Sequence, residues 1–231
     1  MPFYRKNKIS IFASKLSMKN IKDELQNIII GDGSVGPTSK LEKVQNFLRT
    51  NEKASFRTEK QKYLKSEEAI CLTDFAFKER LFFLEEISED NFISAGAEQR
   101  VYRYDDFHII KINDSIFYES WLDYFNSLLI HNYFFCATAY EFLGFKFIDN
   151  RLYAVVKQEF IVSTEITDLN IVKQFLSYNN FSNSRNNDYI NSDLGIIFED
   201  LHDENVLSKN GILYFIDTIF YLTKVFYSSN I

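Results

Sequence analysis

Apolar residues recur at helical spacing through roughly the first ninety positions, then give way to short extended runs split by turn residues. Ile21, Leu25, Ile28 and Ile29 form one stripe along residues 17–30, which predicts an amphipathic helix that Gly31-Asp32-Gly33 ends. Leu41, Val44, Phe47 and Leu48 repeat the spacing after Pro37, a residue suited to a helix's first turn, and a third helix is expected over residues 60–78. The polar stretch 50–62 between them reads as a loop.

Beyond Asn91, residues 92–104 read as two strands around Ala95-Gly96-Ala97, and Asp105-Asp106 turns the chain into a third at 107–112. Asn113 or Asp114 can cap a helix over 115–129, and a second hairpin is expected from 140–148 and 152–161 about Asp149-Asn150. A helix at 167–178 follows, then an Asn- and Ser-rich loop at 179–187. Short extended pieces are expected at 195–198, 205–207 and 212–216.

With 46% hydrophobic residues in 231, the chain can bury a sizeable core, so order is expected over most of it. A net charge of −6 supplies no field for a phosphate backbone, and no nucleic-acid partner is expected. No run reaches the ~18 apolar residues of a membrane span, and the N-terminus lacks a signal peptide's apolar region, so a soluble, cytoplasmic protein is expected. Cys71 and Cys136 stand far apart without C-x-x-C spacing; both are expected to be reduced, buried thiols. Abundant Asn, Ile, Lys, Phe and Tyr beside seven Gly and two Pro reads as the product of an AT-rich genome.

The chemistry concentrates near the C-terminal end. Asp200 precedes Asn205 by five positions, and Asp217 follows twelve later at the end of an apolar strand, where an ionised carboxylate is costly unless something binds it. Phosphoryl transfer needs phosphates held, a metal bridging them and a carboxylate to orient the nucleophile. Asp200 suits the last role; Asn205 and Asp217 offer hard oxygen ligands to magnesium. Turn-capping alone would also use acids and amides, yet it does not account for these spacings.

Asp200-Leu201-His202-Asp203-Glu204-Asn205-Val206-Leu207, followed by a strand ending in Ile216-Asp217, resembles the Brenner-type segment of aminoglycoside phosphotransferases. Residues 94–222, including Gly96-Ala97-Glu98-Gln99-Arg100-Val101-Tyr102, resemble the kinase-like domain of polyvalent proteins from phages and bacterial mobile elements. The resemblance implies an α+β, protein-kinase-like bilobal fold with a five-stranded antiparallel small lobe (91–161), a truncated large lobe (162–231) and a helical N-terminal extension (1–90). It further implies an ATP- and magnesium-dependent phosphotransferase acting on a protein or small-molecule acceptor, or alternatively an inactive nucleotide-binding scaffold. In that likeness Gly96 and Ala97 belong to the glycine loop over the phosphates, and Lys111 reaches the α- and β-phosphates. Glu119 or Asp123 partners that lysine, and Gln158, Glu159, Phe160 and Ile161 form the hinge against the adenine.

Two departures matter. Phe198 stands where a histidine usually opens the catalytic loop. After Asp217 comes Thr218-Ile219-Phe220, with no glycine and only fourteen residues to follow, so an activation segment and its docking helices are not expected. The expectation is that the N-terminal helices pack on the reduced large lobe and complete it, with a homo-oligomer or a partner chain as the alternative. Residues 28–39 imitate a nucleoside-triphosphate phosphate loop, but Pro37 replaces its lysine and lacks an N–H, so the segment is read as a helix-to-helix connection. His108, His131 and His202 are read as structural.

Overall fold

The computed structural model describes residues 18–31, 39–55, 65–96 and 99–228, with backbone alone at 52–55. In chain order the elements are α1 (Met18–Ile30), α2 (Lys40–Ser55), α3 (Lys65–Glu79), β1 (Phe92–Ala95), β2 (Gln99–Arg103), β3 (His108–Asn113) and α4 (Trp121–Phe134). They continue with β4 (Glu141–Ile148), β5 (Arg151–Glu159), α5 (Leu169–Tyr178), β6 (Ser182–Arg185), β7 (Asp188–Asn191) and β8 (Ile196–Glu199). The last are β9 (Val206–Lys209), β10 (Ile212–Phe215), β11 (Ile219–Leu222) and α6 (Lys224–Tyr227). The chain divides into two compact units, Asp32–Phe160 and, separately, α1 together with everything from Ile161 onward.

In the Asp32–Phe160 unit a five-stranded antiparallel sheet has the order β1-β2-β3-β5-β4. Asp149 and Asn150 close the β4–β5 hairpin with φ of 49° and 63°, the left-handed pair that a two-residue turn matching strand twist requires. One face of the sheet packs Tyr102, Ile110, Ile112 and Val155 with Phe83. The other meets α4 through Phe142 and Phe145, whose rings contact Phe125 at 5.2 and 6.0 Å. Helix α4 is buried on nearly every side because α2 and α3 cover what the sheet does not. A buried hydrogen bond from Gln45 to Asn126 (2.9 Å) ties α2 to it. At Gly144 a Cβ would lie 2.5 Å from the Leu81 carbonyl, so only glycine lets the segment after α3 pair with the outer edge of β4.

Three boundaries differ from the sequence expectations. Helix α2 runs on to Ser55, into the expected loop. Helix α4 starts at Trp121, not 115: the Asn113 and Asp114 side chains close tight turns onto the N–H groups of Ser115 (2.6 Å) and Ile116 (3.1 Å), and Ser120 makes the cap by accepting from Asp123 N–H. The Asn-rich stretch after α5 is largely the β6–β7 hairpin, turned by Asn186 at φ 48°.

The other unit holds a four-stranded sheet, β11-β8-β7-β6, and the separate β9–β10 hairpin. Phe198 is 1% exposed at its centre, stacked on Phe220 at 4.2 Å with Phe181 and Phe215 around it. Helix α1 buries Ile21, Leu25 and Ile29 here, and Lys22 and Gln26 donate to the carbonyls of Val225 and Phe226 in α6. The N-terminal helices are thus split: α1 serves this unit, whereas α2 and α3 pack on α4, a partial correction to the expected packing. Neither cysteine is fully buried as expected; Cys136 is exposed and Cys71 half-buried. No described helix is long and apolar enough to cross a membrane. Residues 32–38, the core of the phosphate-loop imitation, lie outside the described residues.

Candidate functional site

At the end of β8 the chain leaves the sheet through Asp200, whose backbone is left-handed at φ 65°. Asp188 accepts from its N–H at 3.1 Å, and the next residue, Leu201, is buried and anchors the loop. Five positions on, the Asn205 side-chain amide turns back and donates to the Asp200 backbone carbonyl (2.8 Å) and carboxylate (2.9 Å). The Asn205 carbonyl in turn accepts from Ile216 N–H (2.9 Å) and Asp217 N–H (3.3 Å). Those bonds continue the β9–β10 ladder, where Val206 faces Phe215. Thr164 and Glu165 secure its far turn by accepting from the N–H groups of Asn210 and Gly211. The fold therefore brings Asp200, Asn205 and the backbone of Asp217 into one braced corner.

Within that corner Asn205 is buried while the Asp200 side chain is 53% exposed, so the carboxylate can reach an incoming hydroxyl. His202 sits beside both, its Nε2 3.0 Å from the Asn205 amide nitrogen and 3.4 Å from an Asp200 oxygen. Burial pushes the neighbouring Glu199 carboxyl up, and the charges of Asp188 and Asp200 add to the shift. Among the described residues no three His, Cys, Asp or Glu side chains converge as a metal cage. The donor set nonetheless fits magnesium: Asn205 commits its amide hydrogens to Asp200, which leaves Oδ1 as its ligand atom, and a magnesium site built on one carboxylate is completed by phosphate and water oxygens.

In the Asp32–Phe160 unit Lys111 lies mid-strand on β3, opposite Val101 and Val156 and only 2% exposed, with its ammonium 5.4 Å from the centre of the Tyr140 ring. Glu119 is exposed ahead of α4. Asp123 sits in the helix's first turn, where Ser120 Oγ donates to its carboxylate at 2.7 Å; burial raises its pKa, against the bond from Ser120 and the charge of Lys65. Gly96 follows β1, its N–H donating to Gln99 at 2.9 Å, and a Cβ there would meet nothing within 4 Å. Ala97 lies outside the described residues. Gln158 is buried opposite Ile109, and Glu159 stands opposite His108 at the end of β5. Phe160 donates its N–H to the Phe107 carbonyl at 2.7 Å beneath the Arg103 guanidinium; Ile161, buried, begins the other unit.

Two residues that the sequence did not single out control the β3–α4 connection. The Glu68 carboxylate, from the first turn of α3, accepts from the N–H groups of Trp121 (2.7 Å) and Leu122 (3.2 Å), taking up orphan donors at the start of α4. Lys65 donates to the carbonyls of Ser115 and Tyr118; burial lowers its pKa, against the charges of Asp114, Glu68 and Asp123. In sequence both look like ordinary charged residues of a helix's first turn, and no periodic signal marks them.

The sequence model of the family described as a serine/threonine/tyrosine kinase found in polyvalent proteins matches residues 65–224, so it begins at Lys65 and takes in α3 as well as the strands. No curated protein and no solved structure matches the chain. With a match over well more than half its length, bearing both the buried strand lysine and the braced Asp200–Asn205 corner, the chain belongs to this kinase family of polyvalent proteins.

Proposed function

We propose that the chain is an ATP- and magnesium-dependent phosphotransferase of mobile-element type, acting on a hydroxyl of a protein or small-molecule acceptor. The observation that carries this reading is the double tie of Asn205, by side chain to Asp200 and by backbone to Asp217. Turn-capping would satisfy one partner; holding a base and two ligand oxygens in fixed relation is what phosphoryl transfer uses. In this reading residues 91–161 act as the small lobe, 162–231 as a reduced large lobe and 1–90 as a helical extension. The passage from one compact unit to the other at Phe160 and Ile161 supports the hinge assignment.

Asp200 would orient the acceptor hydroxyl and take its proton as the bond to phosphorus forms. Lys111 would hold the α- and β-phosphates, while the backbone of Gln158, Glu159, Phe160 and Ile161 would meet the base. Gly96 supports the glycine-loop role, since the fold itself does not need a missing Cβ there. Asn205 and Asp217 would hold magnesium, which when bound neutralises charge on the transferring phosphate. Glu119 or Asp123 remains assigned to orienting Lys111. Strand β11 rejoins the sheet beside β8 directly after Thr218, which favours an enzyme without a switchable activation segment.

The test is thermal stability and phosphate transfer with magnesium and ATP. Saturating nucleotide should stabilise the wild type by about 2–4 kcal/mol, and autophosphorylation or ATP turnover should disappear in Asp217→Ala. A nucleotide-dependent rise in melting temperature with no transfer to any acceptor would establish the inactive scaffold instead. No response of either kind would overturn both.

A further inference from the structure

Behind the strand lysine, a buried polar chain runs through the Asp32–Phe160 unit. The Thr138 carbonyl lies 2.8 Å from His131 Nε2 and accepts from Gln158 Nε2 at 2.7 Å. A carbonyl can only accept, so His131 Nε2 carries the imidazole proton and, in the neutral ring, Nδ1 keeps its lone pair. The His131 and Tyr140 rings lie 4.5 Å apart, and the Lys111 ammonium stands over the face of Tyr140. Lys111, His131 and Gln158 are each at most 2% exposed. Burial drives the His131 pKa down to about 3, and the Lys111 charge pushes the same way, so the ring lies in the ammonium's field and is neutral near pH 7.

We infer that His131 and Tyr140 are positioning residues for Lys111: the imidazole and the aromatic face form a buried seat for the ammonium, locked from behind by Thr138 and Gln158. A lysine stem has four flexible bonds, and a desolvated ammonium demands partners. The seat restricts its direction, and the aromatic face adds a cation–π attraction. The inference rests on the reading of Lys111 as the phosphate-binding lysine.

Nuclear magnetic resonance on the full chain tests the seat without nucleotide. Imidazole 15N shifts of wild-type His131 should report the Nε2–H tautomer, and Lys111→Met should move the Nδ1 resonance. His131→Phe should shift the Lys111 ammonium signal, identified by its loss in Lys111→Met, and His131→Asn, which keeps an acceptor near the Nδ1 position, should restore it. In turnover with magnesium and ATP, His131→Phe should lower kcat by about tenfold or more with KM moving less than about threefold, and His131→Asn should recover most of the loss. An Nδ1 resonance indifferent to Lys111→Met would overturn the seat, as would a His131→Phe variant that loses only melting temperature. If the wild type turns over no nucleotide, the phosphotransferase reading fails on its own, and the two resonance measurements alone decide the seat.

Discussion

Asn205 donates its side-chain amide to Asp200 twice, at the backbone carbonyl (2.8 Å) and at the carboxylate (2.9 Å), which closes the loop between them into a ring. The bond to the carboxylate is charge-assisted, and Asn205 is 9% exposed, so little water can substitute for it. Asn205→Asp would put two carboxylates in contact and should destabilise the protein by about 1–3 kcal/mol at pH 7. Protonation should relieve part of that cost as pH falls through the carboxylate range. Urea titrations of wild type and variant at pH 7 and pH 4 measure both effects.

Glu68 should matter to the sheet unit far more than a first-turn acid on a surface helix. Its carboxylate serves two N–H donors at the start of α4, a helix with little surface left for water to reach them. Glu68→Ala strands both donors and should cost about 2–3 kcal/mol, whereas Glu68→Gln keeps an acceptor and should cost about 1 kcal/mol. Denaturant midpoints at constant slope would show the ordering; equal losses in the two variants would mean that side-chain packing, not capping, is what Glu68 supplies.

His131 gives a pH signature with a defined sign. Folding depresses its pKa from 6.5 to about 3, so between those values the unfolded chain binds the proton and the folded chain does not. Stability from this group is whole above about pH 6.5 and drains as pH falls towards 3, with about 2 kcal/mol lost by pH 5. Carboxylates titrate in the lower part of the same window, which is why the comparison must be with His131→Asn. The wild type should lose about 2 kcal/mol more than the variant between pH 7 and pH 5 in urea unfolding.

Strand positions after Asn91 were legible because alternation and turn residues are local signals; the β4–β5 turn at Asp149-Asn150 lies where its residue types put it. The start of α4 was not, since Asn113, Asp114 and Ser120 are all good cap residues and local chemistry does not rank them. The decision comes from Lys65 and Glu68, some fifty positions away. The same distinction runs through the candidate site. Asp200, Asn205 and Asp217 fall within eighteen residues, so their spacing was readable and their backbone links follow it. The surroundings of Lys111 gather Thr138, Tyr140 and Gln158 from later segments, and no pattern in the chain announces that His131 belongs with them.

Gly195 is a backbone requirement that can be tested cleanly. Its φ of +71° is left-handed, and a Cβ would lie 2.3 Å from the Phe226 nitrogen, while its carbonyl accepts from Thr223 N–H at 2.9 Å. Gly195→Ala must therefore both strain the turn before β8 and push α6 away. A loss of about 2–4 kcal/mol is expected, visible as a lower melting temperature.

Phe198 occupies the place where the wider kinase-like pattern has a histidine, and its surroundings decide what restoring that histidine would do. The ring is stacked on Phe220 at 4.2 Å, touches Phe181 and Phe215 at 6.0 and 5.8 Å, and is 1% exposed. An imidazole there would bring two ring nitrogens into an aromatic cluster and give up apolar contact area, so Phe198→His should cost about 2–4 kcal/mol. Phe198→Leu keeps the site apolar and should cost less, about 1–2 kcal/mol. Because Phe198 stands two residues before Asp200 on β8, a softened core should loosen the loop it anchors, and phosphate transfer should fall with stability in both variants. If Phe198→His instead raised transfer while leaving the denaturant midpoint unchanged, the aromatic core would not be what holds the Asp200–Asn205 loop.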